Sequence, residues 1–353
     1  MPGMIHSPTK PRGSILPELL STTLDDHVLQ TEWHATGQWF AAMPATGRIL
    51  VGDAEGQEIA RLPGHKGGNG GLAWQPGQPV LATFGQDAEV RLHGFPLDQT
   101  PRVFPLEKGW AERVAWNRDG SHLAVALGRN IHILDGATGE VLQSWPNQRS
   151  TVADLAWNPC NPREVASVCD GGALLWRLGE TKPFGRFDWG GASLVVTWSP
   201  DGRWVVTGDQ TPSVHLYEVK RKTPLHIQGF ESKVKTFAWL QRGAQLATGG
   251  GCVITLWPCH GKEGPNGATP AQLFGHQADV SCLESADDAL LSAGRDGLAL
   301  IWLPGKSETP GLLAQVDDEI TSLRLSPGHD RLLLGTHQGS LALLLMKPQT
   351  KQP

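Results

Sequence analysis

Six tryptophans, Trp33, Trp74, Trp116, Trp157, Trp198 and Trp239, recur at spacings of 41, 42, 41, 41 and 41 residues. Each closes a short apolar run and precedes a turn, as in GGLAWQPGQPV, ERVAWNRDGSH and LVVTWSPDGRW. A period of this length is too long for a leucine-rich, ankyrin or tetratricopeptide unit. It matches four short strands per repeat, the size of a propeller blade. Within a copy the order is constant. The marker run is followed by a polar turn such as SPDG (199–202) and a second run such as RWVVTG (203–208). A third run such as SVHLYE (213–218) and a weaker fourth such as PLHIQG (224–229) complete it. Runs of four to six residues, β-branched or alternating and punctuated by Gly, Pro, Asn and Asp, read as strands.

The repeat outlasts the tryptophans. Residues 280–302 form a seventh copy, with Leu283 or Glu284 expected at the Trp place, and 320–345 form an eighth, with Leu325 there. After Met346 no fourth strand remains for the last copy, whereas GSILPELLST (13–22) precedes the first marker. The economical solution pairs residues near 15–20 with the third strand of the last copy, near 340–345. That joins both ends in one sheet and spares the array an exposed cap. The expected fold is a single all-β propeller of eight four-stranded blades, with seven as the alternative. It spans 13–346, with a flexible segment at 1–12 and a tail at 347–353. One connection departs from the period: PCHGKEGPNGATPAQL after Trp257, rich in Gly, Pro and Asn, is a surface loop.

The rest of the composition narrows the class of function. A formal net charge of −5 argues against a nucleic-acid partner. No run approaches the roughly 18 apolar residues that span a bilayer. MPGMIHSPTKPRG lacks the apolar core of a secretory signal, so a cytoplasmic monomer without membrane contact is expected. The five cysteines, Cys160, Cys169, Cys252, Cys259 and Cys282, are odd in number and show no CxxC spacing, which reads as buried reduced thiols.

The chain resembles the WD-repeat (WD40) β-propellers. The seventh copy carries the fullest signature, with Gly275-His276, Ser292, Asp296 in a GRDG turn, and Trp302. The second keeps Gly64-His65, Thr83 and Asp87, with His93 where the Trp belongs. Elsewhere the WD pair decays to Trp176-Arg177, Tyr217-Glu218 and Trp257-Pro258. The resemblance implies that His276, Ser292, Asp296 and Trp302 form a hydrogen-bonded set within one blade, as do His65, Thr83 and Asp87. A catalytic triad is the weaker reading, since the trio recurs in part and no nucleophile elbow is present. The marker tryptophans read as inter-blade core rather than as base-stacking platforms.

The resemblance further implies a non-catalytic scaffold without cofactor, docking a partner protein or peptide on one loop face. On that face the expected acidic set is Asp279, Asp317, Asp318, Glu319, Asp25 and Asp26. The expected basic set is Lys108, Arg113, Arg149 and Lys233, with Trp110, Trp189 and Phe230 in the loops between. Aromatic and Arg anchors suit a protein interface, so Trp110, Arg113, Trp189, Phe230, Lys233, Asp317, Asp318 and Glu319 are the candidate docking residues. The competing class is a metal-handling, ligand-binding or enzymatic propeller using the channel mouth. His27, His65, Cys169, Cys252, His276 and His337 are scattered over six copies, and Cys259, His260 and Cys160 lie on the opposite face. Spacing assigns none of them a shared ligand shell, and no metal is expected.

Overall fold

The computed structural model describes residues 16–96, 100–106, 109–221, 223–261 and 263–346. The terminal segments 1–15 and 347–353 and the candidate Lys108 lie outside them. Among the described residues the chain is a series of short antiparallel strands with one 3-10 turn at Gln241–Gly243. It is an all-β propeller. Seven hydrogen-bonded sheets form: six of four strands and one of six. Among the described residues no helix is long and apolar enough to cross a membrane.

In each copy the first strand carries the marker and lies innermost. These strands are Val28–Trp33, Asn69–Trp74, Ala111–Trp116, Asp154–Trp157, the later half of Gly185–Trp198, Thr236–Leu240, Val280–Ala286 and Ile320–Leu325. Together they bound a central channel, and one cavity of about 320 Å³ is lined by first-strand residues including Gln30, Arg113, Thr236, Cys282, Ser322 and Arg324. Turns set the hairpins. In the SPDG turn Gly202 has φ +67°, and a Cβ there would also stand 2.7 Å from Asn158 Oδ1, so only glycine fits without strain.

The six-stranded sheet holds the fourth and fifth copies. Its strand Glu164–Arg177 is 14 residues long and doubles back on itself. Gly171 and Gly172 turn the chain with φ of 99° and 109°. The Leu178 amide then donates to the Arg163 carbonyl at 2.9 Å, and Trp176 Nε1 donates to Ser167 Oγ at 2.9 Å. The other 14-residue strand, Gly185–Trp198, pairs through its first half with 170–175 and through its second with 205–209.

The ends meet as the unfinished last copy requires. Glu18–Thr23 pairs antiparallel with Ser340–Leu345, with Ser21 opposite Ala342. This is three residues further along the chain than the expected 15–20. The first copy also bonds the last: the Thr31 amide donates to Ser322 Oγ at 2.9 Å. One marker assignment is corrected. Leu283 pairs with Ser292 as Leu72 pairs with Thr83, so the register puts Ser285, opposite Leu290, at the place of Trp74. Leu283 and Glu284 stand two and one positions earlier.

The core lies between sheets rather than within them. Eight clusters of buried residues each join two neighbouring copies. Leu72, Trp74 and Phe95 pack with Ala41, Ile49 and Val51, and Val196, Trp198 and Tyr217 pack with Ala166, Leu175 and Phe187. Burial of each large apolar side chain stabilises by about 1.5–3 kcal/mol.

The tryptophans add a directional bond to this packing. Trp74 Nε1 donates to the Glu32 carbonyl at 3.3 Å, and Trp116 Nε1 to that of Ala73 at 3.2 Å. Trp157 Nε1 donates to the Ala115 carbonyl at 2.8 Å, and Trp198 Nε1 to that of Ala156 at 2.9 Å. Every acceptor is the residue before the preceding marker. Trp33 Nε1 and Trp239 Nε1 are buried without a partner. Trp198→Phe should therefore destabilise more than Trp239→Phe by about 1 kcal/mol, one net hydrogen bond, measurable by urea denaturation. A truncation lacking residues 1–23 should lower Tm markedly, because it exposes the Ser340–Leu345 edge; an unchanged melting curve would contradict the role given to that strand.

Candidate functional site

Two histidine networks hold their sheets together. His276 Nδ1 lies 3.0 Å from Asp296 Oδ2, and its Nε2 lies 2.7 Å from Ser292 Oγ, to which Trp302 Nε1 donates at 2.8 Å. In the second copy His65 Nδ1 lies 2.8 Å from Asp87 Oδ1 and its Nε2 3.0 Å from Thr83 Oγ1. His93 Nε2 stands 3.2 Å from that same hydroxyl. Both signature histidines are buried. Burial lowers the pKa of His65 and, with the nearby Arg91, takes His93 down to about 4. Burial by itself would raise Asp87 and Asp296, but their histidine hydrogen bonds hold both below the usual carboxylate range.

The signature histidine has a fixed place. It stands seven residues before the first-strand residue that pairs with the second-strand hydroxyl, as His65 precedes Leu72 and His276 precedes Leu283. The same count gives Gln148 in the fourth copy, Trp189 in the fifth and Phe230 in the sixth. Two docking candidates therefore stand at the histidine's place, and one of them is not where it was expected. Trp189 is not in a loop but on the strand Gly185–Trp198, its ring 4.4 Å from His215 and 4.9 Å from His226. Phe230 is in a loop, yet it is half-buried against the core cluster that contains Trp204 and Val234, edge-on to Trp257. Both side chains fill the histidine's place with apolar surface.

The charged candidates also divide. Arg113 lies on the strand Ala111–Trp116, not in a loop, and lines the channel, where its Nε stands 3.1 Å from Asp154. Arg149 pairs with Asp170 at 3.2 Å. The acidic loops are largely engaged by neighbouring turns. Asp25 accepts from the Arg48 amide at 2.8 Å, and Asp26 accepts from Thr46 Oγ1 at 2.8 Å. Asp318 accepts from the Gln338 amide at 2.7 Å and the Glu319 amide at 2.8 Å, and Glu319 lies 3.7 Å from Arg295. Asp317 is exposed. Short polar side chains that cap turns in this way serve the loop first. Three candidates are presented to solvent: Asp317, Lys233, and Trp110 with 63 % of its surface exposed.

Inside the channel, Arg324 Nη1 donates to Glu284 Oε2 at 2.8 Å, and Glu32 shares their field. Sequence reasoning missed this group, because the three residues come from the first, seventh and eighth copies. Side chains here keep some contact with water along the channel, 25 % exposure for Glu284 and 41 % for Arg324, but protein walls replace most of the solvent shell. Burial therefore dominates at Glu32 and pushes its pKa up to about 7 despite Arg324 and Arg113. An unfolded Glu titrates near 4.5. Between these values the folded chain holds the extra proton, so this group's contribution to stability falls as pH rises through that window. Glu32→Gln should accordingly raise Tm over the parent more at pH 8 than at pH 5; an equal change at both values would contradict the raised carboxyl.

The scattered metal candidates do not assemble. His65 and His276 are bound in their networks, and the Cys259 thiol is buried and pushed up to about 12. His27 and His337 do approach, as stacked rings 5.5 Å apart. The one three-residue group among the described residues is one that spacing did not suggest: Asp209, His215 and His226. The His215 and His226 rings are stacked 4.2 Å apart and parallel within 4°. A metal lies in the ring plane of each imidazole that binds it, and parallel stacked planes share no such point. Asp209 meanwhile accepts from Ser193 and Ser213 at 2.8 and 2.9 Å and lies 2.7 Å from His215 Nδ1. Asp209 and His215 form a hydrogen-bonded buried pair, with His226 stacked outside it and Trp189 against both rings.

The sheets, the marker strands and the two histidine networks define a WD-repeat propeller. Comparison with known proteins agrees. Residues 72–160 match the family model described as the anaphase-promoting complex subunit 4 WD40 domain, and residues 192–218 and 268–302 match that of the WD domain, G-beta repeat. The chain belongs to the WD40-repeat β-propeller family. It is 27 % identical over 173 residues to THO complex subunit 3 of Arabidopsis thaliana, covering 44 % of this chain and 52 % of that protein. It is 22 % identical over 209 residues to the SIR4-interacting protein SIF2 of Saccharomyces cerevisiae, covering 54 % and 38 % respectively. The chain thus spans about half or less of the length of these relatives. Among solved structures, the computationally designed Ika8 protein superposes with a TM-score of 0.77 at 18 % identity, over 93 % of this chain and 99 % of that one, a likeness of fold.

Proposed function

We propose that this propeller is a non-catalytic scaffold that docks a partner protein through the loops leading from the outer strand of one copy to the inner strand of the next. The observation that carries this reading is Trp110. Among the described residues its indole is the most exposed of the large apolar side chains, and it stands immediately before the inner strand Ala111–Trp116. Its carbonyl accepts from the Gly128 amide at 3.1 Å, so the backbone that presents it is anchored. A rigidly held, solvent-facing indole is the common form of an interface hot spot, and loops on a packed scaffold commonly carry function. The relatives' names, a complex subunit and an interacting protein, support the same role. Once a partner is isolated, Trp110→Ala should weaken its binding by about 2 kcal/mol or more with Tm unchanged. Cross-links should fall on the loops that include Trp110. Cross-links confined to the opposite face, around Cys259 and His260, would overturn this assignment.

The metal-handling alternative draws no support from the stacked Asp209, His215 and His226. We further infer that the scaffold has eight blades, the six-stranded sheet being two that share the strand Gly185–Trp198. The hairpin at Gly171-Gly172 and the eight inter-copy core clusters support this count. A cryo-electron microscopy map resolving eight inner strands around the channel is the expected result; seven would overturn it.

A further inference from the structure

The ring of inner strands has one junction unlike the others. Among the described residues, a hydrogen bond links each neighbouring pair of inner strands except the fifth and sixth. Gln30 Oε1 accepts from the Leu72 amide, Asp154 Oδ2 from the Val196 amide and Thr236 Oγ1 from the Leu283 amide. Ser281 Oγ donates to the Ile320 carbonyl, and Ser322 Oγ accepts from the Thr31 amide. The tryptophan bonds supply the second-to-third and third-to-fourth junctions. Between the fifth and sixth copies, Val195 occupies the place of those polar side chains, and Trp239 Nε1 is left without a partner.

At the loop-face mouth of this junction a cleft of about 510 Å³ opens, bounded by Pro212 of the fifth copy, Ser232, Lys233 and Lys235 of the sixth, and Asp279 and Arg295 of the seventh. Three cations face one carboxylate. Lys233 and Lys235 are exposed and, among the described residues, have no ion-pair partner. Arg295 is 60 % exposed and only loosely held by Glu319 at 3.7 Å. Lys235 also lines the channel cavity, where Arg113 and Arg324 are paired with Asp154 and Glu284, so the unpaired cations here are Lys233 and Lys235 of the cleft. No aromatic side chain lines the cleft to stack a base, which favours carboxylates over nucleic acid as the occupant.

We propose that this cleft receives an extended acidic peptide segment of the docked partner, its carboxylates meeting Lys233, Lys235 and Arg295. The proposal rests on the docking reading above and names the chemistry of the partner's contact. Val234 between the two lysines is fully buried while both lysines are exposed, so they face outward together and alternate residues of the bound segment would carry the charge.

The test uses the whole chain and a short fluorescein-labelled peptide alternating Glu and Gly, followed by fluorescence anisotropy. The expected result is saturable binding that weakens as salt rises and falls at least about tenfold in the Lys233→Glu/Lys235→Glu variant. Arg149→Glu, altering an exposed cation elsewhere on the face, should bind as the parent does, and thermal melts should show both variants folded. Parent-like binding by the double variant, no binding by the parent, or tighter binding of a single-stranded oligonucleotide at the same salt would each overturn the proposal. The outcomes separate from those for docking itself. A partner that cross-links near Trp110 and still binds the double variant leaves the scaffold reading standing and removes this one.

Discussion

The bond from a marker indole to the carbonyl before the preceding marker is the contact on which this architecture turns. A sheet of four short strands cannot bury both faces alone, so each copy depends on its neighbours. Apolar packing supplies most of the stabilisation but tolerates sliding. A buried N–H that must find an acceptor does not. Because Trp74, Trp116, Trp157 and Trp198 all reach the equivalent carbonyl, they hold successive sheets in one repeated orientation. Where the marker is Ser285 or Leu325, or is Trp33 with no partner for its indole, Thr236, Ser281 and Ser322 respectively make the inter-copy bond instead.

The second organising group is a hydroxyl that recurs at one register position of several second strands. Thr83, Ser167, Thr248 and Ser292 each bond an aromatic or imidazole nitrogen of the third strand. The histidine that completes this set in the second and seventh copies is replaced by Trp189 and Phe230 in the fifth and sixth. A buried imidazole needs partners on both nitrogens, whereas an indole or phenyl ring needs mainly volume. The fifth copy shows the consequence. Asp209 and His215 take over the polar role beneath Trp189. The candidate docking residues are thereby reduced to the few side chains that neither cap a turn nor cover a sheet.

Some of this was legible beforehand. The signature residues His276, Ser292, Asp296 and Trp302 were marked by their order, because hydrogen-bond partners within one sheet recur at fixed offsets. The pairing of the N-terminal strand with the last copy followed from a missing fourth strand. Trp110 stood out as a large apolar side chain beside a glycine in a loop. Two signals went unused: the KVK spacing that adds Lys235 to Lys233, and the seven-residue count that assigns Trp189 and Phe230 to the histidine's place.

The sequence by itself determined the repeat, the strand order within each copy, the all-β class and the place of the markers at the inter-copy core. These follow from local periodicity, with alternation along a strand and a turn every few residues. Tertiary structure alone decided which polar and aromatic groups are free. Arg113 meets Asp154 and Glu284 meets Arg324 across copies about 40 residues apart in the chain, and the carboxylates of Asp25 and Asp318 are taken by amides of other loops. Such partners are set by the angle between neighbouring sheets. That angle is a property of the assembled core, and no single copy of the repeat encodes it.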